Sequence, residues 1–482
     1  MMTLKEIKGV GGMLTSFLFM FGMCFENLAG RRLLKVYVQG QLSDLQRKNC
    51  EAIALELDVA PRTLQRFLES IKWDEQRLRN RIQEIVVKDH AHPEAVGLID
   101  ESGMHKSGRE TAGVGRQYNG NRGKIENCIV GVHLGYSAPG FQAILNSQLY
   151  LPKDWANDPA RRKKAHIPDD VEFKTKPQIA IDLIDHALKN GLKVAWWTFD
   201  EFYGRDSKFL DALDIKEQRF VCEIPNNTRV WTAKPDVLRH EEHPGPGQPK
   251  KTPRVDDSQP PREVYSLLKH SCKFLLQTWQ KYVIKDTDKG PEVWKIKHLT
   301  VWRQTSSGLP STRCTLIVAR SVRTNETKFF LCNEVVGENG VTLRGLLRVA
   351  FSRWVIEAVF RISKEELGLD HLEVRSWRCI HRHLHVTALS FLLCSRIRQS
   401  LDKGGTRKLT VEQVRRSLNC WLQFHHQRPA HPDEAFQKEL NKQHYYQHRN
   451  AQAKTSHTKT RRMLYLTLGI DVDKIKSCTQ TS

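Results

Sequence analysis

Phe351-Ser-Arg353-Trp-Val-Ile-Glu357-Ala-Val-Phe-Arg361-Ile-Ser-Lys364 is the stretch on which the reading of the fold turns. Arg353, Glu357, Arg361 and Lys364 stand at i, i+4, i+8 and i+11, so a helix through the segment gathers all four on one face. Val355, Val359 and Ile362 line the other face, with Ile356 and Phe360 flanking the polar stripe. A glutamate among three cations is either a solvated salt-bridge ladder or a station for a metal ion and a phosphate. The spacing alone leaves both open.

Upstream, two short apolar runs each end in a carboxylate: Ala95-Val-Gly-Leu-Ile-Asp100 and Val194-Ala-Trp-Trp-Thr-Phe-Asp200. Asn127-Cys-Ile-Val-Gly-Val-His-Leu reads as another strand, and residues 178–192 as an amphipathic helix. Strands mixed with helices imply an α/β core. A carboxylate that closes a strand projects from a rigid support to where ligands bind, although a plain turn Asp also ends strands. Three such oxygen donors suit a hard cation. Mg²⁺ is usually held by one or two carboxylates plus substrate phosphates, and two ions can clamp the attacking and leaving oxygens of an in-line phosphoryl transfer. Arg353 and Lys364 would then hold phosphates, one by a fork and one as a point charge.

Residues 1–90 carry apolar positions at helical spacing. Within them, Cys50-Glu-Ala-Ile-Ala-Leu-Glu-Leu-Asp-Val-Ala-Pro61-Arg-Thr-Leu-Gln-Arg-Phe-Leu predicts one helix ending near Leu57 and a second starting at Pro61. The second would turn Arg62, Thr63, Gln65 and Arg66 outward and Leu64 and Phe67 inward. That is the pattern of a helix-turn-helix presenting a recognition helix, and equally of an ordinary helical hairpin. Residues 240–262 are rich in Pro and Gly and predict an exposed loop. Leu299-Thr-Val-Trp-Arg, Cys314-Thr-Leu-Ile-Val-Ala-Arg and Thr327-Lys-Phe-Phe-Leu-Cys make 216–338 a β-rich block. Helices follow from 342 to about 364 and over 380–398, and the region from 401 to 482 is polar and basic.

Composition bounds the function. A chain of 482 residues is expected to form two to four domains. Lys and Arg (76) exceed Asp and Glu (54) by 22, an excess that favours a polyanion, nucleic acid first and an anionic membrane second. The 11 cysteines are scattered without a C-x-x-C pair, which argues against a disulfide framework or structural zinc and fits a reducing cytoplasm. The apolar run LTSFLFMFGMCF at 14–25 is too short to span a bilayer and reads as a core helix. His381, His383 and His385 invite a metal reading, but their spacing spreads them around a helix, so a basic helix near DNA is expected instead. No P-loop, G-x-S-x-G or dinucleotide fingerprint is present.

With these residues in place, a resemblance emerges. Arg353-x3-Glu357-x6-Lys364 resembles the Y-x2-R-x3-E-x6-K signature of bacterial insertion-sequence DDE transposases whose last acidic residue follows a β-rich insertion. Leu98-Ile-Asp-Glu-Ser-Gly-Met-His-Lys-Ser-Gly, Gly113-Val-Gly-Arg-Gln-Tyr-Asn-Gly and Gly123-Lys-Ile-Glu-Asn-Cys resemble the family's first-Asp region. Phe199-Asp-Glu-Phe-Tyr-Gly resembles its second-Asp segment, and Glu366-Leu-Gly-Leu-Asp-His-Leu-Glu-Val-Arg-Ser-Trp continues the last one.

The resemblance implies an RNase H-like core over 91–215 and 339–400, interrupted by the insertion at 216–338. A helical DNA-binding domain at 1–90 and a basic C-terminal region at 401–482 would flank it. Asp100, Asp200 and Glu357 would be the catalytic, metal-binding triad, with two Mg²⁺ ions for which Mn²⁺ can substitute. Arg353 and Lys364 would be the DNA-contacting signature residues; Arg361 on the same helix face, and Arg62, Gln65 and Arg66 of the possible recognition helix, are expected DNA contacts from their own spacing. The implied reaction is cleavage at terminal inverted repeats and strand transfer to target DNA, by a homodimer on DNA in the bacterial cytoplasm at the nucleoid, without a membrane. The alternatives are a same-fold nuclease that does not join strands, and an inactive or domesticated transposase that only binds DNA. This sequence departs from the signature at Ala350, where the family has Tyr. Glu101 and Glu201 adjoin the two aspartates, and Asp is favoured at both places. Trp302 is either a base-stacking residue of the insertion or core.

Overall fold

The computed structural model describes residues 2–120, 122–238, 252–402, 409–427 and 432–478. Most of the Pro/Gly-rich loop expected at 240–262 lies outside the described residues. The chain divides into two compact units, residues 1–194 with 355–448, and residues 195–354 with 449–482.

The first unit opens with helices α1 (Leu4–Phe19), α2 (Leu28–Leu42), α3 (Cys50–Glu56), α4 (Pro61–Glu69) and α5 (Glu75–Asp89). Thr3 and Glu6 form a capping box at α1, and Asn27, Asn49 and Asp74 cap α2, α3 and α5. Strands β1 (Val96–His105), β2 (Gly115–Asn119), β3 (Lys124–Ala138) and β4 (Phe141–Leu149) make an antiparallel sheet around β3. β1 runs along one edge of β3, while β2 and β4 share the other in succession. Helix α6 (Lys176–Lys189) follows, then α7 (Trp354–Leu367), α8 (Trp377–Leu401) and α9 (Val411–Gln427).

Side-chain alternation assigns the two faces of this sheet. Leu98, Asp100, Ser102 and Met104 of β1 share one face with Gly135, His133, Gly131 and Ile129, their partners on β3. Helices α7 and α8 cover that face: Met104, Ile129 and Leu149 pack in one core with Trp377, Ile380 and Leu384. Glu101 points to the opposite face, where the Lys176 ammonium at the start of α6 donates to its Oε1 at 2.8 Å.

The apolar run at 14–25 belongs to a longer stretch, Leu4–Cys24, which by length and composition alone could cross a membrane. The expectation that it is too short is therefore corrected. One face of α1 is nonetheless buried through Ile7, Val10, Gly11, Leu14 and Phe17, with Gly11 against the Trp421 ring of α9.

Asp100 does not end its strand. β1 continues to His105, because the ladder with β3 persists and Met104 is drawn into the core. The expected helix through Phe351–Lys364 is likewise interrupted. One helix spans Leu343–Ala350, residues 351–353 form a turn, and α7 begins at Trp354. Within that turn Ser352 Oγ donates to the Val349 carbonyl at 2.8 Å, and Phe351 docks on Trp294 and Phe330.

The second unit is built on an eight-stranded sheet. Its long antiparallel strands are Gln280–Thr287, Gly290–Gln304, Pro310–Ser321 and Thr327–Cys332, with Val221–Ile224 beyond the last of these. Tyr465 near the chain's end is buried with Val283, Val293, Ile470 and Val472.

Candidate active site

Three contacts fix α7 over the Asp100 face of the first unit. The Ile356 side chain lies against Gly135 and Leu98, which face each other across the ladder. One pair along, the Phe360 ring meets His133 with centroids 4.8 Å apart, and His133 is the cross-strand partner of Asp100. Ile356, Val359, Phe360, Ser363 and Leu367 are the buried residues of α7. The buried face is therefore rotated from the one expected: Ile356 and Phe360 are its centre, while Val355 and Ile362 are only half-buried.

Asp100 is 8% exposed, and its Oδ1 accepts from the Glu101 N–H at 2.7 Å. Lys364 is half-buried near it. Burial lowers the Lys364 ammonium below the usual lysine range, while Asp370 and Asp100 pull it back up. His133 is fully buried and bonded through Nδ1 to Ser147 Oγ at 2.7 Å. Burial, and then the Lys364 charge, hold its pKa down to about 3, so the ring is neutral. Glu357, next along from Ile356, is exposed on the flank of α7. Arg361 is also exposed and pairs with Glu365 at 3.2 Å. Arg353 precedes the helix and does not complete a four-residue stripe.

Asp200 belongs to the second unit, after the short strand Trp196–Thr198. Its Oδ1 caps the turn Glu201–Gly204, accepting from the N–H groups of Phe202 and Tyr203 at 3.0 and 3.3 Å. Glu201 is exposed and lies 3.7 Å from Arg205. The same unit holds a polar hollow of about 730 Å³ lined by Glu201, Arg205, Glu223, Arg229, Arg303 and Lys328. Arg303, 2% exposed, reaches Asp211 and Asp214 at 2.5 and 2.6 Å. The sequence reading missed this ion-paired group; the signal was an arginine inside an apolar strand. Trp302 is half-buried, opposite Trp231 and Arg313.

On α4, Leu64 and Phe67 are buried, Arg62, Thr63 and Arg66 are exposed, and Gln65 is half-buried. Arg62 bridges to Glu69 at 3.1 Å. The expectation of a DNA-facing helix at 381–385 is overturned. His381, His383 and His385 are 6%, 0% and 2% exposed, because α8 is a central helix of the first unit. His381 bonds the Leu149 N–H, His383 joins Tyr37 to the Gly368 and Leu369 carbonyls, and His385 reaches the Ser147 carbonyl.

Among the described residues, no three His, Cys, Asp or Glu side chains converge as a ready metal cluster. Asp100 and Glu357, which the first unit carries on the sheet and on the helix covering it, are oxygen donors. That is the kind Mg²⁺ takes, with water and substrate phosphates completing its shell. In kind, the donors fit.

Residues 20–291 match the family described as DDE superfamily endonuclease, and the chain belongs to that family. The matched span includes Asp100 and Asp200 and ends before Glu357. The chain is also similar to a probable transposase for insertion sequence element IS701 from Microchaete diplosiphon, 31% identical over 193 residues. That match covers 40% of this chain and 48% of the relative, so the chain spans about half the length of the relative it matches. Among solved structures, a piggyBac transposase synaptic complex with hairpin DNA is similar at a TM-score of 0.41 and 10% identity, over 91% of this chain and 79% of that one. So loose a likeness defines no fold.

Proposed function

We propose that the chain is a DNA transposase that cuts the ends of an insertion sequence and joins them to target DNA. The observation that carries the reading is Asp100 buried on a sheet face beneath the helix that bears Glu357 and Lys364, in a chain of the DDE superfamily endonuclease family. The catalytic core would be RNase H-like over 91–215 and 339–400, with 216–338 as an insertion, 1–90 as the DNA-binding domain and 401–482 as a basic accessory region. Double-stranded DNA is the partner, a homodimer pairs two ends, and the work is done in the bacterial cytoplasm at the nucleoid.

Asp100, Asp200 and Glu357 would hold two Mg²⁺ ions. When bound, the ions activate the attacking oxygen and stabilise the leaving one. Burial of Asp100 restrains its carboxylate, and the seat of α7 fixes the backbone from which the exposed Glu357 reaches out, which goes part of the way to pre-organising the site. Lys364, within electrostatic reach of Asp370 and Asp100, partly offsets their negative charge and offers a point charge to a DNA phosphate. Arg353 and Arg361 supply further phosphate contacts, and Arg62, Gln65 and Arg66 read or grip the end sequence.

The test is cleavage of a plasmid carrying the gene's flanking DNA, with Mg²⁺ and with EDTA. Wild type is compared with Asp100→Asn, Asp200→Asn and Glu357→Gln. Metal-dependent cuts at the element ends, lost in all three variants, are expected, together with joining to a target plasmid. Cutting without joining would make the protein a nuclease. Specific binding without cutting would make it a DNA-binding protein. Cutting that survives the substitutions would mean a different active site.

A further inference from the structure

The layer between β1 and α7 contains polar atoms that the chemistry above does not use. Ser102 Oγ, His133 Nε2 and Ser363 Oγ are all buried and have no hydrogen-bond partner among the described residues. Their residues are 1%, 0% and 0% exposed.

Geometry brings the three together. Ser102 lies two residues beyond Asp100 on the same sheet face, opposite Gly131. The His133 ring leans along its strand over that glycine, so a Cβ added at Gly131 would meet Nε2 at 2.9 Å. α7 advances in the direction of β1, from Ile356 over Leu98 to Phe360 over His133. From Phe360 to the next inward position, Ser363, is about 4.5 Å along the helix, and from Asp100 to Ser102 about 6.8 Å along the strand, so Ser363 falls between the His133 and Ser102 positions. Lys364 follows directly. Two hydroxyls and an imidazole nitrogen are thus brought to one region of the layer, where the missing side chain of Gly131 leaves room for the His133 ring. Orphaned buried polar groups are rare because each forfeits its hydration without a replacement bond, and a site with three polar partners suits one buried water.

We propose that Ser102, His133 and Ser363 hold one buried water between β1 and α7, and that this bridge fixes the spacing of Asp100 from Glu357. All three are positioning residues, and the inference rests on the active-site reading above. The bridge ties the strand that carries one carboxylate to the helix that carries the other. Removing outer-shell groups of this kind typically costs about 10–100-fold in metal affinity.

The experiment uses the full chain with Ser102→Ala, Ser363→Ala and the double variant. It reads the melting temperature without metal, and Mn²⁺ binding by electron paramagnetic resonance. If the hydroxyls bond a shared water, each alanine lowers Tm, the double variant is little worse than either single one, and half-saturating Mn²⁺ rises about tenfold. If they are dry orphans, removing them leaves Tm unchanged or raises it, which overturns the proposal. Lower Tm with unaltered Mn²⁺ binding would make the layer merely structural and overturn the positioning role. Asp100→Asn is the control. If it binds Mn²⁺ like wild type, the active-site reading itself fails, and the positioning role fails with it.

Discussion

Ile356 occupies the space that a side chain at Gly135 would need: a Cβ built there would stand 2.5 Å from Ile356 Cδ1 and 3.3 Å from Leu98 Cβ. The glycine lets the helix that carries Glu357 approach the strand pair that carries Asp100. Alanine can be met by a rotamer change at Ile356, but valine cannot. Gly135→Val is therefore expected to cost about 1–3 kcal/mol by overpacking. It should also lower end cleavage by more than the loss of folded protein explains, because α7 is displaced. Adding Ile356→Ala should recover part of both losses, a coupling measurable as a double-mutant cycle in urea. Strict additivity would mean that the two residues do not set the helix's height.

That Glu357, Arg361 and Lys364 share a helix was readable from spacing, though not that Arg353 falls outside it, and the strand of Asp100 was readable from its apolar run. Tertiary facts were not. Nothing local says that β1 runs on past Asp100, because that follows from its partner strand and from the pull of Met104 into the core. Nor does periodicity reveal the break at 351–353, which depends on Phe351 finding Trp294 and Phe330. The histidines of α8 misled because their spacing carries no local sign of burial; only a central helix supplied with hydrogen-bond partners from its neighbours can bury three. Ser102 and Ser363 carried no signal at all until strand register and helix seat put them on facing surfaces.

On the proposed function, Lys364 serves both the carboxylate and a DNA phosphate. Lys364→Gln keeps a chain of similar length and removes the charge. Binding to end-bearing and random duplexes should weaken by similar factors, and the slope of log K against log salt should shrink by about one. Fluorescence anisotropy at several salt concentrations measures it. An unchanged slope would show that the ammonium is committed to Asp100 and Asp370 and touches no phosphate.

Lys48 joins two helix ends. Its ammonium, 3% exposed, donates to the Gln41 carbonyl in the last turn of α2 at 2.8 Å and to the Glu366 carbonyl in the last turn of α7. Lys48→Met would leave both acceptors unpaired in the interior and should cost about 2–4 kcal/mol. Burial, with Arg415 adding to it, lowers the Lys48 pKa to about 7 against an unfolded 10.5. Between those values the unfolded chain holds the extra proton, so the lysine's contribution grows as pH rises. The stability gap between wild type and Lys48→Met should therefore widen from pH 7 to pH 9 in urea denaturation. A gap that narrows would mean that the charged form is the favoured one in the folded protein.

Acid should unfold the first unit through its buried imidazoles. Burial holds His381 and His383 down to about 4 and His133 to about 3, and drives His385 well below the ordinary 6.5. Each lowered pKa means that the unfolded chain binds a proton the folded chain refuses. Stability from these groups is full above about pH 6.5 and is lost as pH falls toward 4. Each histidine contributes at most about 1.4 kcal/mol of loss per pH unit in that window. Four such groups together would make the fall steep, well beyond what a single surface histidine could produce. Urea denaturation at half-unit steps from pH 7 to pH 4.5, followed by near-UV circular dichroism, should show stability declining below pH 6.5. His383→Gln, which removes one titrating group at the cost of its bonds to Tyr37 and the Gly368 carbonyl, should lower stability at pH 7 yet flatten the decline. A profile flat to pH 4.5 would show that water reaches these rings and that α8 is less sealed than its burial indicates.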